Sequence, residues 1–246
     1  MLLAIDIGNT AAKFGVFDAG ELVSKFMLPT RRDHSRGSLR AEIESRLTST
    51  PDAAIISSVV PEMNEMITGV LSDSGVSARV IVPSDDLGLV FSFPTESTGT
   101  DRLVNAFAAA EIYGTPCIVV SFGTATTIDA VSRDRKFLGG LIAPGPKVSA
   151  TALKLITSKL PEVELVEPPN VIGTTTDGAI QAGIFYSLIG LVEAAIPHIK
   201  QEVGDDAKVI ATGGFAPLVA SKCPSIDTVD PDLTLRALQM LHSRRT

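Results

Sequence analysis

Four short segments carry residue types that could bind and move a phosphoryl group. The first is Asp6-Ile7-Gly8-Asn9-Thr10, at the end of the apolar run that opens the chain. A buried strand would deliver the Asp6 carboxylate to its C-terminal end, Gly8 would let main chain approach a phosphate, and Asn9 and Thr10 would add side-chain donors. A carboxylate beside a polyphosphate repels it unless a divalent cation lies between them, so Asp6 is the candidate to hold Mg²⁺, directly or through water. The same residues also make an ordinary β-turn. The second segment, Ser121-Phe122-Gly123-Thr124-Ala125-Thr126-Thr127, ends another apolar strand with a hydroxyl-rich turn that could wrap phosphate oxygens. Alone it reads as a Thr-rich hairpin; one such turn per half is what clamping both ends of a polyphosphate needs. In the third, Thr212-Gly213-Gly214, the paired glycines would let an adenine or ribose pack on the main chain, with a helix N-terminus beyond; a plain strand-to-helix turn has the same form. The fourth is Gly99-Thr100-Asp101-Arg102, with Asn105 one helical turn on. Asp101 is either a helix N-cap or a general base that takes a proton from a substrate hydroxyl, and Arg102 has the forked guanidinium that suits a carboxylate.

These segments need strands to present them. Apolar runs predict strands over 2–7, 12–17 and 21–28, then again over 117–121, 127–131 and 137–142, with further strands at 53–60, 79–83 and 208–211. Helices are expected over 35–47, from Pro61 to about Asp73, from Asp101 to about Tyr113, and over 147–157, 176–202, 216–222 and 232–243. Residues 84–100 read as loop. Each half opens with strand, Gly-containing turn, strand and strand before strands and helices alternate, a coarse internal duplication. The division therefore falls into an N-terminal lobe, 1–115, and a C-terminal lobe, 116–246.

Composition narrows the classes. Apolar residues make up 45% and charged residues 20% of the 246, Trp is absent, and cores must be built from Ile, Val, Leu and Ala. With a net charge of -7 and no basic stripe, nucleic acid is not an expected partner. Cys117 and Cys223 match no zinc or redox spacing and are expected as free thiols. Met1–Asp6 lacks the basic region of a signal peptide, no run of membrane-span length is expected, and a cytoplasmic enzyme follows. His34, His198 and His242 have no metal or triad partner at a telling spacing; Lys159, Glu162 and the Arg244-Arg245 end read as surface and solvated tail.

In order, these segments resemble the type III pantothenate kinases, of the acetate and sugar kinase, Hsp70 and actin superfamily. The resemblance rests on Asp6–Thr10, Ser57-Ser58-Val59-Val60-Pro61, Gly99–Arg102 with Asn105, Gly123–Thr127 with Asp129, and Leu138-Gly139-Gly140. It continues through Ala143-Pro144-Gly145, Leu160-Pro161, Ile172-Gly173, Thr176, Gln181 with Gly183, Thr212–Gly214 and Asp232-Leu233-Thr234-Leu235. It implies an α/β fold of two ribonuclease-H-like, actin-like ATPase lobes with mixed sheets flanked by helices, and ATP in the cleft between them. It implies transfer of the γ-phosphoryl to pantothenate, the first step towards coenzyme A, with Mg²⁺, with K⁺ or NH₄⁺, and in a homodimer. Residue by residue, Asp6 and the turn through Gly8, Asn9 and Thr10 to Lys13 map to the first phosphate loop, and Gly123 and Thr124 to the second. Thr212, Gly213 and Gly214 map to the nucleoside region, and Asp101 to the general base. Phe91, Gly99, Thr100, Asp101, Arg102 and Thr176 map to pantothenate binding, Thr176 reaching from the other subunit.

The chain departs from that family pattern at two places. The family carries an Asp, associated with the monovalent cation, where this chain has Ser121, which keeps an oxygen and loses the charge. A cation-independent enzyme, a slow one and a non-catalytic regulatory paralogue are the three readings. Ahead of Gly99 the family places Tyr and then Asn-Pro; here Phe91-Ser92-Phe93-Pro94 stands, with one extra residue. If Phe91 replaces that Tyr, a substrate hydrogen bond is lost, which keeps open a kinase of the superfamily acting on another small alcohol.

Overall fold

Leu2–Ile7 is buried apart from Asp6, which is mostly buried with a small exposed edge, the pattern of a strand covered on both faces. The computed structural model describes residues 1–31, 35–157 and 160–244 of the chain. His34, Lys159 and Arg245 lie outside the described residues. The chain divides into two compact units, one of Met1–Gly88, Phe93–Ala108 and Leu233–Thr246, the other of Leu89–Ser92 and Ala109–Asp232.

In the first unit, β1 (Leu2–Ile7), β2 (Ala11–Asp18) and β3 (Glu21–Pro29) form an antiparallel meander, and β4 (Ala53–Ser58) and β5 (Ser77–Val80) add in parallel, giving the order β3-β2-β1-β4-β5. Leu3, Ile5 and Ile7 of β1 point to the face covered by α1 (Arg36–Glu44) and α2 (Pro61–Asp73), where they meet Leu39, Ile43, Met63, Ile67 and Val70. Each such fully buried side chain contributes roughly 1.5–3 kcal/mol, so this core holds the strand ends in place. On the opposite face lies α7 (Leu233–Ser243), packed on β1, β2 and β4. Gly15 of β2 makes room there: a Cβ at that position would lie 3.0 Å from Leu235 Cδ1. Helix α3 (Thr100–Ile112) meets α7 through Asn105 and through Phe107, whose ring lies 4.6 Å from the Arg244 guanidinium. Arg244 is exposed, as expected of the chain end, and its guanidinium also gains attraction over the Phe107 ring.

The second unit repeats the topology. An antiparallel meander of β7 (Cys117–Phe122), β8 (Ala125–Val131) and β9 (Lys136–Pro144) is joined in parallel by β10 (Lys208–Thr212) and β11 (Thr228–Val229), in the order β11-β10-β7-β8-β9, with β6 (Val90–Phe91) on the free edge of β9. Each sheet thus reads third, second, first, fourth and fifth strand, so the duplication visible in sequence is a duplication of sheet order. Cys117 and Cys223 are buried free thiols. The core side of this sheet packs under α4 (Pro146–Ile156) and α5 (Thr176–Val203), with the short α6 (Ala216–Val219) beside them.

By length and composition α5 could cross a membrane, contrary to the expectation that no stretch reaches that length. Its Ile180, Ile184, Leu188, Val192 and Ile196 recur at helical spacing on one face, and that face is packed in the core of the unit. Two short strands also differ from expectation: β6 lies within the stretch read as loop, and β5 ends at Val80 rather than Pro83. Two-residue pairings such as β6 with β9 carry too little periodicity to be seen in sequence.

Candidate functional site

The polar residues of the first unit gather on the face beneath α7. Asp6 is paired in register with Lys13 of β2 and Ser57 of β4, so the three side chains share one side of the sheet. Beyond Asp6 the chain turns tightly: the Gly8 N–H donates to the Ala11 carbonyl at 3.1 Å. Thr30, following β3, clamps the turn, its hydroxyl donating to the Gly8 carbonyl at 2.7 Å and its N–H to the Thr10 carbonyl at 3.0 Å. Asn9 and Thr10 stay exposed at the tip. The first predicted phosphate turn is thus held from three strands.

Asp101 lies in the first turn of α3, one residue inside its start at Thr100 rather than in front of it. Its Oδ1 accepts the Arg102 N–H at 2.9 Å. Desolvation raises its proton affinity, opposed by that N–H and by the Arg102 charge. Asp6 is also shifted upward, to about 6, chiefly by burial; Lys13 pulls it down and the Asp101 charge pushes it up. The two carboxylates therefore feel one another. Gly99 is small because the Asp101 carboxylate occupies the space over it: a Cβ there would lie 2.6 Å from Asp101 Oδ1.

Two features of this face were not assigned a role from sequence. Ser57 Oγ is fully buried and has no hydrogen-bond partner among the described residues. Asn105 is buried and its Oδ1 accepts the Thr234 hydroxyl at 2.7 Å. The serine pair Ser57-Ser58 ending an otherwise apolar strand, and the polar Thr234 among leucines, are the signals that could have pointed to them.

The second unit holds the other predicted residues. Ser121, half-buried near the end of β7, is paired with Thr127 and Thr212, the positions that correspond in sheet order to Lys13 and Ser57 around Asp6. Gly123 N–H donates to the Ala125 carbonyl at 3.0 Å, and Gly145 N–H to the Thr124 carbonyl at 3.0 Å. Gly145 must lack a side chain, since a Cβ would lie 2.3 Å from both the Gly123 and Thr124 carbonyl oxygens. After β10, Gly213 adopts φ +93 and presses on Phe122, with a Cβ position only 2.5 Å from the Phe122 carbonyl oxygen, while Gly214 is exposed. Phe91 meets Phe137 edge-on at 6.1 Å. Thr176 is exposed at the start of α5, behind the N-cap Thr175. It edges an apolar groove of about 730 Å³ between α4 and α5, lined by Leu153, Ile156, Leu160, Ile180 and Ile184. A smaller groove of about 250 Å³ between α1 and α2 contains none of the predicted residues.

The donor set suits Mg²⁺ in one respect and a monovalent cation less well. Mg²⁺ is commonly held by one or two carboxylates together with substrate phosphates and water, and Asp6 offers one such carboxylate near the end of β1. No group of three or more His, Cys, Asp or Glu side chains is gathered among the described residues. Around Ser121 the register neighbours are the neutral hydroxyls of Thr127 and Thr212, the latter fully buried and without a hydrogen-bond partner among the described residues, and Ser121 itself carries no charge.

The family described as type III pantothenate kinase matches residues 2–198. The type III pantothenate kinase of Moorella thermoacetica is 40% identical over 254 residues, covering 100% of this chain and 100% of that protein. The type III pantothenate kinase of Paramagnetospirillum magneticum is 40% identical over 255 residues, covering 100% of this chain and 98% of its own. Among solved structures, the inorganic polyphosphate/ATP-glucomannokinase of an Arthrobacter species superposes with a TM-score of 0.51 at 14% identity, over 100% of this chain and 99% of that one. At that identity the likeness speaks for the fold, two ribonuclease-H-like units with mixed sheets flanked by helices.

Proposed function

The chain belongs to the family of type III pantothenate kinases, and from that premise we propose that it phosphorylates pantothenate with ATP, giving 4'-phosphopantothenate on the route to coenzyme A. The observation that carries the reading is the Asp101 carboxylate, seated over Gly99 at the start of α3, coupled to Asp6 and raised in proton affinity. A general base works best when its proton affinity approaches the working pH. Asp101 takes the proton of the acceptor hydroxyl as the new P–O bond forms and the bond to ADP breaks. Arg102 and the main chain of Gly99 and Thr100 hold pantothenate, Arg102 by its carboxylate; Phe91 lines the same substrate through its ring. The Gly8–Thr10 turn and Lys13 bind phosphate oxygens, Gly123 and Thr124 do the same from β7 and β8, and Thr212, Gly213 and Gly214 receive the nucleoside. Asp6 would hold Mg²⁺, directly or through water, and that ion would supply neutralisation of the phosphate charge. Most of the acceleration then comes from positioning and fixed charge.

Three finer parts belong to the same proposal. With neutral hydroxyls around Ser121, the need for K⁺ or NH₄⁺ is weak. The protein is a homodimer in which Thr176 of the partner subunit contacts pantothenate; Leu141, Ile142, Val148, Leu155 and Ile156 stand exposed on β9 and α4, apolar surface that a second copy would cover. It works in the cytosol.

The test is ADP release with ATP, Mg²⁺ and pantothenate, with and without K⁺, alongside Asp101→Asn. Pantothenate-dependent turnover that vanishes in Asp101→Asn, with ATP still bound, is expected; turnover retained in that variant removes Asp101 from the role. K⁺ should change the rate little, and Ser121→Asp should introduce a K⁺ response. ATP binding without any turnover would instead favour a non-catalytic regulator.

A further inference from the structure

The Asn105 and Thr234 pair enters no step above. Both residues are 6% exposed, and they join α3 to α7 through a hydrogen bond across 129 residues of sequence. With Oδ1 engaged by the Thr234 hydroxyl, the amide plane is fixed and its two N–H donors on Nδ2 point away from Thr234. Among the described residues these donors meet no acceptor, yet Nδ2 is not among the fully sealed, partnerless atoms. Nδ2 is thus a donor that stays reachable from outside the protein, where a ligand oxygen can take the place of solvent. Asn105 lies four residues beyond Asp101 on α3, hence on the same face of the helix, one turn along. Thr234 belongs to α7, the helix that covers the side of the sheet carrying Asp6, and Asp101 on the same face of α3 is close enough for its charge to act on Asp6.

We propose that Asn105 donates through Nδ2 to an oxygen of the transferring phosphoryl group, beside the hydroxyl that Asp101 deprotonates, and that Thr234 is the positioning residue that aims it. The amide suits this place because it adds a donor without adding a third charge to the Asp6 and Asp101 pair. The inference rests on the kinase reading above. It also gives a role to Asp232-Leu233-Thr234-Leu235, the segment that starts α7 and delivers Thr234 to α3.

The experiment compares the full chain with its Asn105→Ala, Thr234→Val and Thr234→Ser variants, by saturating ADP release with pantothenate and by thermal unfolding. Loss of one fixed donor to a developing charge typically lowers kcat by about 10²-fold or more. Asn105→Ala should show about that loss with KM for pantothenate little changed. Thr234→Val, which keeps the shape and removes the hydroxyl, should lower kcat by roughly 10-fold, and Thr234→Ser should restore it. Undiminished kcat in Asn105→Ala overturns the inference. So does a Thr234→Val variant that loses thermal stability but keeps kcat, which would make the pair a packing device. Should Asn105→Ala not fold, the Thr234→Val and Thr234→Ser comparison decides alone, equal kcat overturning the proposal. A wild-type chain without pantothenate-dependent turnover overturns the kinase reading and this inference with it; an active wild type with indifferent variants overturns only this inference.

Discussion

Replacing Gly99 by Ala should silence the enzyme while leaving it folded. The added Cβ would stand 2.6 Å from Asp101 Oδ1 and 3.5 Å from Val59 Cγ1. Ordinary contact begins near 3.4 Å, so the carboxylate must retreat by about 0.8 Å. The obstacle is the end of a side chain rather than main chain, and Gly99 is not among the glycines of positive φ. Folding should therefore absorb the methyl group; a glycine replaced where its backbone already suits alanine can even gain about 0.4–1 kcal/mol through the unfolded state. Catalysis should not absorb it. Retreat of the carboxylate strains the 2.9 Å bond from the Arg102 N–H, and a misplacement near 1 Å costs about 10²-fold in rate. The assay is saturating ADP release together with a thermal melt. The expected pair of results is kcat lower by about 10²-fold with Tm within a few degrees of wild type. A kcat within twofold of wild type in a well-folded variant would refute the reasoning, since it would mean that the position of the Asp101 carboxylate does not control the reaction.

Other expectations follow from the same geometry. Asp6 has its folded-state value raised from 3.8 to about 6 by burial, so the folded chain prefers it protonated; its contribution is favourable at low pH and is lost as pH rises through about 6. The displacement corresponds to roughly 3 kcal/mol at most. Asp6→Asn, melted without nucleotide and with a chelator, should match wild type below about pH 4 and be the more stable above pH 7; a difference that stays flat between those values would count against the buried carboxylate. Gly145→Ala meets main-chain oxygens at 2.3 Å instead of a movable side chain. It should cost about 2 kcal/mol, or roughly 4–8 °C in Tm, and weaken nucleotide affinity in an equilibrium titration by displacing Gly123 and Thr124. Wild-type affinity in that variant would separate the second turn from nucleotide binding.

The sequence alone determined the elements whose causes are local. Apolar runs ending in Asp6 and Ser121 became β1 and β7, because a strand buried on both faces needs nothing but continuous apolar residues to be recognised. The turns at Gly8 and Gly213 were legible for a related reason: glycine is the residue that tolerates close backbone approach or positive φ, and that demand is written at one position. Even the duplicated strand order could be suspected from two meanders half a chain apart. Tertiary structure decided what depends on residues distant in sequence. Order along the chain groups α7 with the second half, whereas its contacts group it with the first unit, since its apolar face is buried against β1, β2 and β4. The same packing brings Thr234 to Asn105 and leaves Ser57 Oγ without a partner among the described residues. It also lets burial raise the proton affinity of Asp6 and Asp101. Desolvation and the completion of a buried hydrogen bond are set by everything packed around a group, and no spacing in one segment encodes them.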